Sequence, residues 1–181
     1  MYYNEMRKRH VRAQLLKHAD TYYLETWGRS KDQNILYITG ISGSGKSTLA
    51  LCMADDFTEI IHLDAYFELD NLANTQRFHN KVFDDFLKSK RFDPFSLNNK
   101  DLFVSNKKEY FRLVDLFAAH SENFGEHLYH VGVKVIMEGL QLLDETMYPD
   151  KDFFDNKPRI ELTTKSSVAA RRARKRDRNI N

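Results

Sequence analysis

The chain has 181 residues, of which 41% are hydrophobic, 30% charged and 13% aromatic, with a formal net charge of +2. That suits one globular domain with a real core and excludes a disordered or low-complexity chain. No apolar run approaches the ~18 residues of a membrane helix, the first residues lack an apolar signal core, and the lone Cys52 allows no intramolecular disulfide, so a cytoplasmic protein without a membrane partner is expected.

Residues 5–24 place Met6, Val11, Leu15, Leu16, Tyr22 and Tyr23 at helical spacing between basic residues, which predicts an amphipathic helix. Its plain role is packing at a sheet edge; the cluster Arg7, Lys8, Arg9 and Arg12 keeps a nucleic-acid contact as the alternative. Residues 28–32 read as a turn. A first core strand is predicted over 35–39, a helix over 48–56, and a second strand over 59–63 that runs into Asp64. Residues 75–90 and 107–120 carry aromatic stripes at helical spacing. A third strand covers 131–137 with Lys134 interrupting its apolar run, a fourth covers 159–163, and a last helix covers 165–178. Strands alternating with helices indicate an α/β domain with a mostly parallel sheet flanked by helices. Residues 1–33 form an N-terminal helical extension, 34–181 the core, 71–129 a helical insertion between core strands two and three, and 165–181 an arginine-rich lid region.

Between the first core strand and its helix stands Gly40-Ile41-Ser42-Gly43-Ser44-Gly45-Lys46-Ser47-Thr48, which contains the pattern G-x-x-x-x-G-K-[ST]. Glycines let backbone N–H groups turn inward toward phosphate oxygens, and a helix N-terminus adds partial positive charge. Gly40, Ser42, Gly43, Ser44, Gly45, Lys46, Ser47 and Thr48 are therefore the candidate nucleotide contacts. Lys46 would reach the β- and γ-phosphates, and Ser47 would ligate magnesium. The plainer alternative is a turn that caps a helix and binds nothing.

Asp64 at a strand end is a candidate substrate contact that accepts a proton from an attacking hydroxyl, or holds magnesium through water. Glu138, after another apolar strand, is a candidate magnesium and substrate ligand, and Glu68 is a weaker third carboxylate. Asp64 and Glu138 could instead be ordinary strand-end carboxylates, and Glu68 reads as solvated or substrate-contacting rather than catalytic. Residues 171–181 hold six basic residues and one acid, so the body is slightly acidic and a local anion site is favoured over general nucleic-acid binding. Arg172 and Arg176, four apart, share a helix face and suit the charge that develops on a moving phosphoryl group. His62 reads as a packed or hydrogen-bonded strand residue. His120, His127 and His130 have no partners at zinc-ligand spacing.

In order, residues 38–48, His62-Leu63-Asp64-Ala65-Tyr66-Phe67, Val135-Ile136-Met137-Glu138-Gly139 and the arginine-rich stretch 159–177 resemble the uridine kinase and phosphoribulokinase-like group of small-molecule kinases. The resemblance implies a three-layer P-loop NTPase fold, with Asp64 as catalytic base and the arginines as a lid. It implies a transferase that uses ATP, with GTP as the alternative donor, and Mg2+, and that phosphorylates a hydroxyl of a small molecule such as a nucleoside. Tyr66 and Gln141 are the expected acceptor contacts. Two rivals stay open: a P-loop kinase acting on a polynucleotide or nucleotide sugar, and an ATP-binding switch without transferase activity.

Overall fold

The computed structural model describes residues 2–30, 33–62, 81–91, 108, 119–120, 123–124, 133–139 and 156–178. In chain order the elements are α1 (Tyr2–Leu16), β1 (Ala19–Tyr22), a 3-10 turn (Leu24–Thr26), β2 (Ile35–Gly40), α2 (Lys46–Met53), β3 (Thr58–His62), α3 (Lys81–Ser89), β4 (Lys134–Glu138), β5 (Arg159–Leu162) and α4 (Ser166–Arg178). The strands form one five-stranded sheet in the order β1-β5-β2-β4-β3. The protein is therefore an α/β protein with helices flanking a mixed sheet.

The centre of the sheet follows from its residues. β2, Ile35-Leu36-Tyr37-Ile38-Thr39-Gly40, is buried at every position, and a continuous β-prone run of this kind belongs inside a parallel sheet covered on both faces. It pairs in parallel with β4 on one side and β5 on the other, and β3 extends the parallel set beyond β4. Leu36, Ile38, Ile136, Ile160 and Leu162 form one core with Leu49, Ala50 and Met53 of α2, and Leu15, Leu16 and Trp27 pack at its border. Ile35, Tyr37, Val135 and Met137, on the opposite face, are also buried. Burying side chains of this size contributes roughly 1.5–3 kcal/mol each relative to exposure.

Two expectations need correction. The first helix ends at Leu16, not near residue 24, and residues 19–22 pair antiparallel with β5. The sheet is therefore mixed, where a mostly parallel one was expected. The reason is non-local: the outer edge of β5 has backbone groups that need partners, and Thr21 and Tyr22 are β-prone. Thr163 N donates to His18 O at 2.8 Å, clamping the entry to β1. Tyr22 and Tyr23, expected on a buried helical stripe, are 38% and 51% exposed. The Arg159 guanidinium lies 4.3 Å from the centre of the Tyr22 ring, which ties the edge pair together from the side chains.

The other boundaries are close to expectation. α2 begins two residues earlier than the pattern suggests and stops before Asp55, because that carboxylate organises the next turn. Asp55 Oδ1 accepts from Phe57 N at 3.0 Å and Thr58 Oγ1 at 2.6 Å, an Asx-type turn that ends a helix. α3 falls inside the expected helical insertion, where Leu87 is buried and Phe86 meets Phe124 at 5.1 Å between ring centres. The predicted helix over 107–120 lies almost wholly outside the described residues.

Candidate functional site

The carboxyl ends of β2, β3, β4 and β5 point the same way because the four strands are parallel, and that edge is where open α/β sheets place ligands. β2 ends at Gly40 and α2 starts at Lys46, so residues 41–45 form a short glycine-rich loop at this edge. Gly43 and Gly45 have φ of +77° and +107°, left-handed values that side chains disfavour. Close approach constrains them further. A Cβ on Gly43 would lie 2.2 Å from Ala169 O of α4, and one on Gly45 would lie 2.9 Å from Leu15 Cδ2 of α1 and 4.0 Å from Arg172 Nη1. Helices from both ends of the chain thus press against one loop.

Lys46, the first residue of α2, is only 5% exposed. Its Nζ donates to Ile41 O at 3.3 Å, and no carboxylate pairs with it among the described residues. Ser47 Oγ donates to Glu138 Oε1 at 2.8 Å. His62 Nδ1 lies 2.5 Å from the same oxygen, and His62 sits directly beside Glu138 in the β3–β4 register. Glu138 is 1% exposed, and its Oε2 has no hydrogen-bond partner among the described residues. The hydroxyls of Thr39 and Ser44 are likewise buried and unpartnered.

These features share one physical meaning. A buried ammonium and a buried carboxylate are each costly when incompletely paired. Lys46 opens α2, Glu138 at the end of β4 meets the next residue, Ser47, and no ion pair joins the two charges. Such an arrangement suits a ligand with anionic and cationic parts. The oxygens of Ser47 and Glu138 are hard donors of the kind magnesium takes, usually with waters completing its shell. Among the described residues no cluster of three His, Cys, Asp or Glu side chains could hold a metal by itself, so a cation here would need further ligands from nucleotide or water.

Of the expected arginines, Arg172 reaches the loop, with Nη1 donating to Ser44 O at 3.3 Å; Thr164 Oγ1 donates to the same carbonyl at 3.3 Å. Arg176 belongs to α4, but its side chain is not among those described. Gly40, Ser42, Gly43, Ser44, Gly45, Lys46, Ser47 and Thr48 all lie in the loop or the first turn of α2, with Ser42 and Thr48 exposed. Asp64, Tyr66, Glu68 and Gln141 lie outside the described residues. Sequence reasoning missed Leu15, Thr164 and His62 as neighbours of the site. Only His62 left a signal, standing two residues before Asp64 at a strand end.

Cys52 of α2 is half-buried. Burial pushes its thiol above the ordinary value, against the opposing pull of Lys8 and Arg12, which disfavours the reactive thiolate. Among the described residues no helix is long and apolar enough to cross a membrane. In comparisons with known proteins, the chain matches no protein-family model, no curated protein and no solved structure.

Proposed function

We propose that this chain is a magnesium- and ATP-dependent kinase of the P-loop NTPase fold, transferring a γ-phosphoryl group to a hydroxyl of a small molecule, with nucleosides as the first acceptor class to test. The observation that carries the reading is a pair of buried, incompletely satisfied charges at one glycine-rich loop: Lys46, and Glu138, which meets the neighbouring Ser47. A nucleoside triphosphate with its divalent cation offers the complement to both.

In this reading the loop 40–47 and Lys46 bind the phosphates, with the lysine acting as a point charge. Ser47 and Glu138 would hold magnesium, which spreads and offsets phosphate charge when bound. The Ser47 hydroxyl can do this while still donating to Glu138, because a hydroxyl carries both a donor and lone pairs. Arg172, already beside Ser44, and Arg176, one helical turn on, would stabilise charge on the transferring group. Asp64, two residues beyond His62, would accept the proton of the attacking hydroxyl, and Tyr66 and Gln141 would contact the acceptor. GTP remains the alternative donor.

The test is a phosphoryl-transfer screen by mass spectrometry, with ATP or GTP against nucleosides, sugars, vitamins and oligonucleotides. A product 80 Da heavier than its acceptor, formed only with magnesium, is expected for one class (the mass of HPO3, about 80 Da, is that of the transferred group). Asp64→Asn should leave nucleotide binding intact and lower turnover by about 10²- to 10⁴-fold. Unchanged turnover in that variant would sink the base assignment. Tight ATP binding with no phosphorylated acceptor would make the chain a nucleotide-binding switch instead.

A further inference from the structure

His62 is the member of the site that the motif does not explain. It is 6% exposed, in register with Glu138, and its Nδ1 is 2.5 Å from Glu138 Oε1. A carboxylate only accepts, so the tautomer that satisfies this contact has the hydrogen on Nδ1, which donates. Ser47 donates to the same oxygen. Both lone-pair sites of Oε1 are therefore used, from two different elements, α2 and β3.

The consequence is geometric. A glutamate side chain has several rotamers, and holding it in one costs conformational entropy. Two donors converging on Oε1 fix that oxygen, and the planar carboxylate then fixes where Oε2 sits. Oε2 is buried and lacks a hydrogen-bond partner among the described residues. We infer that His62 is the positioning residue of the divalent-cation site: it holds Glu138 so that one oxygen serves Ser47 while the other is presented to the cation or to a water on it. This rests on the reading of Glu138 as a magnesium ligand. It also ties the strand end that leads to Asp64 to the residue that would hold the donor's cation, through one side-chain contact.

A simple core histidine would contribute stability and nothing more, so the test must separate the two roles. The interacting atom is Nδ1, attached to Cγ. In asparagine the amide nitrogen is attached to Cγ as well, whereas in glutamine it is one bond farther out. His62→Asn can therefore restore the donor, and His62→Gln places it wrongly. The full chain is titrated with manganese(II) in the presence of a non-hydrolysable ATP analogue, free ion is counted by electron paramagnetic resonance, and the analogue alone serves as blank. Thermal melting of each variant is recorded alongside.

His62→Ala and His62→Gln should bind the ion about 10-fold more weakly, the lower end of the usual effect of removing a group that orients a metal ligand. His62→Asn should recover most of that loss. A folded His62→Ala chain that binds manganese as tightly as the unchanged protein overturns the inference, whatever its melting temperature. Equal binding by the Asn and Gln variants does so too, and this comparison decides the matter if His62→Ala does not fold. If the unchanged protein binds no manganese beyond the blank, the magnesium role of Glu138 falls and the inference falls with it.

Discussion

β4 begins with one charged residue and ends with another, and the two have opposite fates. At its amino end, Lys134 Nζ lies 2.8 Å from Asp55 Oδ2 and 5.0 Å from the centre of the Trp27 ring. Its methylenes run so close to Gly28 that a Cβ there would be 2.8 Å from Lys134 Cδ, and Trp27 Nε1 donates to Asn34 O at 3.1 Å. The chain itself provides partners for this charge. At the carboxyl end, among the described residues, Glu138 keeps one oxygen unpaired, and Lys46 in the same site has only a carbonyl. The first corner is satisfied within the chain. The second leaves electrostatic interactions open, which is what a binding site for a charged ligand requires.

The largest expected effect breaks the open corner. Lys46→Ala should weaken ATP-analogue binding by about 10- to 100-fold, since hydrogen bonds to charged groups contribute roughly 1.5–3 kcal/mol. Calorimetric titration checks it. The same variant should not lower the melting temperature much, because it removes a buried charge that no carboxylate offsets among the described residues. A large loss of stability without loss of binding would reverse the contrast between the two corners.

A smaller effect tests the loop's seat on α4. Gly43→Ala adds a Cβ at φ +77°, 2.2 Å from Ala169 O. Backbone cannot yield as a side chain can, so α4 must move away, at a cost of about 1–3 kcal/mol for strain alone. Denaturant melts should show the loss, and Arg172 should become more accessible to a guanidinium-modifying reagent. Gly45→Ala meets a flexible leucine tip instead of backbone and should cost less.

The smallest effect belongs to the satisfied corner. The hydrogen bond from Lys134, aided by Thr58, pulls the Asp55 carboxyl down to about 2. The folded form is then harder to protonate than the unfolded one, whose carboxyl titrates near pH 4. The pair's contribution is full above about pH 4 and is lost as pH falls toward 2. The pair is half in solvent, so it contributes under about 1 kcal/mol at neutral pH. Asp55→Asn should therefore shift the melting temperature only slightly at pH 7 and flatten its decline in that acidic window. A steep acid decline that survives the substitution would assign it to another carboxylate.

The strands and helices nearest the glycine-rich loop were legible because their signals are local: the apolar run 35–39, the glycines, and helical spacing after them. The edge strand was not. Tyr22 and Tyr23 continue a helical spacing begun by Val11 and Leu15, and nothing local says that β5 has an open edge for residues 19–22 to fill. In the site, Ser47 and Glu138 could be paired on paper through the motif. His62 could not, because its contact depends on which strand lies next to β3 and in what register. The terminal arginines could not be ranked from spacing alone; α4 resting on Gly43 is what brings Arg172 to Ser44.

The sequence by itself determined which chemistry stands at each strand end and where the backbone can turn: carboxylates after two apolar runs, a lysine and a serine after three glycines, arginines on a last helix. These are properties of single residues and short spacings. Tertiary structure decided which of them meet, joining Ser47 to Glu138 across 91 positions and Ser44 to Arg172 across 128. Strand order and register are set by hydrogen bonds and packing between distant segments, and no periodicity within either segment records them.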